Sequence, residues 1–116
     1  MIRDILLAPS ISTEPILQLP NAEVYARKLS GLEVMNAEAE IPDDGRKTED
    51  VFRFGVRLVV LGACDKEGNR IFKDEDFDAV YKMPYDSILK LVVGVKTHNG
   101  MGDEAKNSPA PSTATS

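Results

Sequence analysis

The stretch from Val51 to Gly100 limits what this chain can fold into more than any other, because it holds most of the large hydrophobic side chains. Two apolar segments, VFRFGVRLVVLGAC and YDSILKLVVGVKTHNG, flank an acidic middle, DKEGNRIFKDEDFDAVYKMP. In the second segment Tyr85, Ile88, Leu89, Val92 and Val95 recur at spacings of three and four. That period predicts a helix with this set on its apolar face. Pro84 suits the first turn of such a helix and Asn99-Gly100 its end. The first segment has two readings. Phe52, Phe54, Val56, Leu58 and Val60 alternate as in a strand, whereas Val51, Phe54, Leu58 and Leu61 fit a helix. Its length favours a helix that starts at Thr48, with Glu49 and Asp50 suitably placed at the N-terminus. A β-hairpin through Glu67-Gly68 is the rival for residues 51–64.

Between these segments Asp65 to Arg70 reads as a turn, with Gly68 supplying a positive φ. Ile71-Phe72 returns two hydrophobes to the core, and Asp74 is placed to cap a short helix bearing Phe77, Val80 and Tyr81 on one face. Upstream, Pro9, Pro15 and Pro20 argue against a continuous helix over residues 1–21. Ile16–Leu19, the turn pair Pro20-Asn21 and Glu23–Arg27 read as strand, turn, strand. Ser30 followed by Glu33 has capping-box spacing for a helix ending before Pro42. Leu32 and Met35 are expected to face inward, with Glu33, Glu38 and Glu40 in water. Asp43 to Lys47 is a polar connection. The expected fold is mainly α with a small N-terminal β element, an α+β arrangement. Residues 1–29 are extended or β, residues 30–100 form a compact helical domain, and residues 101–116, MGDEAKNSPAPSTATS, are a disordered tail.

The 116 residues suit a single domain, and the formal net charge of −5 repels phosphate backbones, so no nucleic-acid partner is expected. The N-terminal MIRDILLAPS is too short and too interrupted for a signal peptide, and no apolar run is long enough to span a membrane. A lone Cys64 makes no intrachain disulfide and reads as a small buried hydrophobe of a reducing compartment. A calcium loop starting at Asp65 would use Glu67, Asn69 and Asp76, but puts Arg70 where glycine belongs. The acids therefore read as turn and cap residues. His98 is the only histidine, so imidazole chemistry has no second member. There is no phosphate-binding glycine loop and no nucleophile elbow. No catalysis, metal or cofactor is expected.

The order CDKEGNRIF, KDEDFDAV, ILKLVVGVKTHNG, preceded by VYARKLSG and a short helix, resembles the tail assembly chaperones of long-tailed bacteriophages across roughly residues 22–100. The resemblance implies a non-enzymatic protein of the host cytoplasm that forms homo-oligomers. It would bind the tape measure protein, help recruit tail tube protein and be absent from the mature virion. Members of this family often occur in two lengths made by a programmed frameshift. Ala105-Lys106-Asn107 can be encoded GCA-AAA-AAC, which contains the slippery heptamer A-AAA-AAC, so Ser108–Ser116 is expected to be the ending of the short form. A structural head–tail connector or tail completion protein is the alternative. A chaperone needs apolar surface for its client. The candidate contact residues are Phe72, Phe77, Tyr81, Tyr85, Leu89 and Val92, with surplus hydrophobes from Phe52–Leu61.

Overall fold

The computed structural model describes residues 1–8, 10–41 and 47–101. Among the described residues the elements are α1 (Ile2–Leu7), β1 (Leu17–Gln18), β2 (Glu23–Ala26), α2 (Gly31–Ala39), α3 (Thr48–Gly62), β3 (Ala63–Cys64), α4 (Phe77–Tyr81) and α5 (Tyr85–His98); α2 to α5 pack around a three-stranded antiparallel sheet, while α1 buries no side chain. The fold is mainly α with a small β element, as the sequence predicts. The frameshift motif at Ala105–Asn107, the tail from residue 102 onward and most of the Asp43–Lys47 connection lie outside the described residues.

The ambiguous segment is helical, and its burial shows why its period was blurred. Along α3, Gly55, Val56, Leu58, Val59, Val60 and Gly62 are all buried. The β-branched Val56, Val59 and Val60 share this buried stretch, so strand propensity competes there with the helical pattern. On α5, Ile88, Leu91, Val92 and Val95 are buried, joined in the core by Phe77, Val80, Val24, Ala26 and Ala37. Two of the five predicted inward residues of α5 instead face solvent: Tyr85 is 66% exposed and Leu89 37%. Leu91 takes the inward place, because the buried face is rotated toward α3. Pro84 stands one position earlier than expected, at the N-cap of α5.

The strand–turn–strand pairs in the register Leu17↔Val24 and Gln18↔Glu23, with Leu19 and Ala22 bonded across Pro20-Asn21. Residues 63–64 add a third strand through Tyr25↔Cys64 and Ala26↔Ala63. The rival hairpin reading thus survives only just beyond α3, as a bridge between Cys64 and Arg70. Asp65 builds the turn between them: its Oδ1 accepts the backbone N–H groups of Glu67 and Asn69, each at 2.9 Å. Gly68 has φ +91°, as the turn requires.

Three local expectations need correction. The first residues are helical rather than extended; α1 runs up to Ala8, whose extended backbone is what the following Pro9 demands. On α2 the Ser30–Glu33 capping box forms, with bonds of 2.9 and 3.0 Å. The buried residue of that helix is nevertheless Ala37, while Leu32 and Met35 are 71% and 70% exposed. The Arg27 guanidinium holds Glu33 at 2.6 Å and so turns the Glu33 side of α2 inward. Before α4, the reach-back bond comes from Asp76 to the Lys73 N–H at 2.8 Å, because Asp74 is engaged by Arg70 at 2.9 Å.

The ends of the two long helices are closed by residues from elsewhere. Arg27 donates to the Leu61 carbonyl at 2.8 Å and Arg70 to the Val60 carbonyl at 3.0 Å, so two guanidinium groups meet the negative end of α3. Asn99 closes α5: its Oδ1 accepts the Leu29 N–H at 2.7 Å, and its Nδ2 donates to the Arg27 and Val95 carbonyls at 3.1 and 2.9 Å. Gly100 follows with φ +77°. Met101, assigned to the tail by its sequence, packs on the core, and its N–H bonds the Lys96 carbonyl at 2.7 Å.

Candidate functional site

Above a closed core, the helices leave three groups of large apolar side chains in solvent. The first lies on α5, where Tyr85, Leu89 and Val93 recur at intervals of four and so share one face. Beside them is an apolar depression of about 390 Å³ lined by Ile16, Leu89, Lys90, Val93 and Gly94. It shares Ile16 and Gly94 with a second depression of about 540 Å³, which extends along residues 10–15 to Thr97 and His98. Together they form one groove between α5 and the segment leading into β1. Gly94 sets the floor of the groove, since only a residue without a Cβ leaves room for Ile16 against α5.

The second group is α1. Its length of six residues is below what holds an isolated helix together, and it buries none of its side chains. Met1, Ile2, Ile5, Leu6 and Leu7 are between 66% and 91% exposed. The third group is Leu32 and Met35 on α2.

Aromatic residues brace one end of the α5 face. Phe52 lies 5.8 Å from Tyr81 and 6.0 Å from Tyr85, and Phe77 stacks on Tyr81 at 5.9 Å. Arg53 and Arg57 sit over the Phe77 ring at 5.0 and 4.6 Å. Tyr85 is thereby held upright while most of its ring remains open to solvent.

The six predicted contact residues therefore divide. Tyr85 and Leu89 are open to a partner. Phe72 and Tyr81 are half-buried and packed against the core. Phe77 and Val92 belong to the core itself, so the sequence-based assignment of these two to a contact surface is corrected. Val93 was missed, although the step of four from Tyr85 through Leu89 points to it. The α1 residues were missed because an apolar run before a proline was read as extended chain.

The polar clefts offer less. One of about 310 Å³ is lined by Glu33, Asn36, Glu40, Arg57, Arg70 and Asp74. Its charges pair with one another or with a neighbour: Arg57 with Glu40 at 3.2 Å, Arg70 with Asp74, and Glu33 with Arg27. For Glu33, burial alone would raise the carboxyl pKa. Hydrogen bonding to Ser30 and the Arg27 charge outweigh that and hold it below its ordinary value. Cys64 is enclosed, and its burial pushes the thiol pKa up. Among the described residues no group of three or more His, Cys, Asp or Glu side chains is placed to hold a metal ion. No described helix is long and apolar enough to cross a membrane.

Comparisons of the chain with protein-family models, with curated proteins and with solved structures return no match.

Proposed function

We propose that the protein is a tail assembly chaperone of a long-tailed bacteriophage, in the short form of a frameshifted pair. It acts without catalysis in the host cytoplasm. It holds the tape measure protein soluble, helps bring tail tube protein to it, and is absent from the finished particle. One observation supports this reading above the others: the core is complete, yet the Tyr85–Leu89–Val93 face and the groove beside it stay open to solvent. A stable body with surplus apolar surface is the design of a holding protein.

The client is a long helix-rich chain with apolar stripes, and it meets the α5 face as helix on helix. Side chains at intervals of three and four along the client fill the groove between Ile16 and Val93. Leu32 and Met35 on α2 provide a second, smaller foothold. The net charge of −5 keeps the open surface from drawing copies into disordered aggregates. The test is co-expression with the tape measure protein of the same phage. The proposal expects that client to move from the pellet to the soluble fraction and to co-purify with this chain. A client equally insoluble with and without it would end the proposal.

A further inference from the structure

The chain carries both an unpartnered apolar helix and an unfilled apolar groove, and the two suit each other. We propose that α1 of one copy packs across the Tyr85–Leu89–Val93 face of a second copy and receives that copy's α1 in return. The free protein is then a symmetric, arm-exchanged dimer.

Three observations lead there. Ile2, Ile5 and Leu6 fall on one side of α1, with Met1 at its start, and none of them is buried against its own chain. Arg3 flanks that side, and Asp4 lies opposite it, exposed and 3.8 Å from Arg3. The arm also has a firm base: the Ser10 carbonyl accepts the Lys28 N–H at 2.9 Å and sits 3.4 Å from His98 Nε2. It therefore leaves the body beside the end of the groove.

Area decides between one arm and two. A fully buried Leu or Ile side chain removes roughly 60–120 Å² of apolar surface from water. Met1, Ile2, Ile5 and Leu6, with the matching area beneath them, give about 500–950 Å² for one arm. That falls short of the roughly 1,200–2,000 Å² of a stable interface, whereas two reciprocal arms reach about 1,000–1,900 Å². Reciprocity also closes the assembly as a two-fold dimer rather than an open fibre. The other candidate for the groove, the chain's own residues 102–116, GDEAKNSPAPSTATS, offers no large hydrophobe. A client occupies the same face by displacing the arm, but the exchange itself does not depend on which client that is.

Sedimentation velocity of the full chain tests the inference. A concentration-dependent dimer is expected, with Ile5→Asp and Val93→Asp each weakening it at least tenfold. Val93 is 58% exposed, so Val93→Asp should leave the fold intact, which circular dichroism checks. In a second measurement, chains carrying Ile5→Cys are mixed with chains carrying Val93→Cys under mild oxidation. Disulfide-linked heterodimers are expected. A monomer at every concentration overturns the exchange, as does an oligomer indifferent to these substitutions. Cross-linking only within chains that carry both cysteines does so too. A client solubilised by a monomer would spare the proposed function and sink only the dimer.

Discussion

Gly94 offers a sharp test of how the groove is built. On helix propensity alone, Gly94→Ala inside α5 should stabilise the protein by about 0.8–1.0 kcal/mol. The structure predicts the reverse. A Cβ at position 94 would fall inside contact distance of the Ile16 Cβ and lie 2.5 Å from its Cγ2. Ile16 cannot easily retreat, since its N–H is bonded to the Val24 carbonyl at 2.7 Å. Overpacking costs about 1–3 kcal/mol, and a clash with an atom fixed to the backbone belongs in the upper half of that range. Subtracting the propensity gain leaves a net loss of about 1–2 kcal/mol. Urea unfolding followed by circular dichroism measures it. Gly31→Ala is the control: nothing lies within 4 Å of its added Cβ, so it should be neutral or stabilising. The double variant decides the mechanism. Ile16→Gly should relieve Gly94→Ala by about 1–2 kcal/mol, whereas Ile16→Ala, which keeps its Cβ and loses only the Cγ2 and Cδ1 contacts, should relieve it less. A Gly94→Ala protein more stable than the parent by about 0.5–1 kcal/mol would refute the packing argument.

Other outcomes follow from the same geometry. Asn99→Ala leaves the half-buried Leu29 N–H and Arg27 carbonyl without their partner and should destabilise by about 1–3 kcal/mol, read from the urea midpoint. Glu33 has a folded-state pKa held below its ordinary value, so its stabilising contribution is present above that value and lost as pH falls through the lower, folded one. Acid titration of Glu33→Gln should therefore show a shallower loss of stability below about pH 4.5 than the parent does; equal slopes would contradict the Arg27–Glu33 assignment. Cys64 is enclosed and its thiol pKa is raised, so a thiol reagent at neutral pH should label it only in denaturant. Rapid labelling of the native protein would mean the sheet opens readily.

Much of the fold is written in local chemistry and was readable there. Pro20-Asn21 marks the turn of β1 and β2, Ser30 with Glu33 starts α2, Gly68 marks a positive φ, and Asn99-Gly100 marks the end of α5. What stayed hidden depends on distant partners. β3 is only two residues long and exists because Ala63 and Cys64 pair with Ala26 and Tyr25, which no local pattern announces. The inward face of α2 was misjudged because hydrophobicity favours Leu32 and Met35, while the Arg27–Glu33 pair turns that helix the other way. Asn99 reads as a simple stop signal, yet its side chain ties α5 to the strand–helix connection at Arg27 and Leu29. The candidate face was half legible for a related reason. Periodicity showed that Tyr85 and Leu89 belong to an apolar helix, but not that the face turned to α3 runs through Leu91 and leaves Val93 outside.

The central claim is that the open face of α5 grips the client. Its most direct test is co-expression of the tape measure protein with the parent chain, with Leu89→Asp and Val93→Asp combined, and with Leu32→Asp and Met35→Asp combined, scoring soluble client in each. The account predicts that the α5 pair abolishes the rescue and the α2 pair only reduces it. Undiminished client solubility with a folded α5 double variant would contradict it.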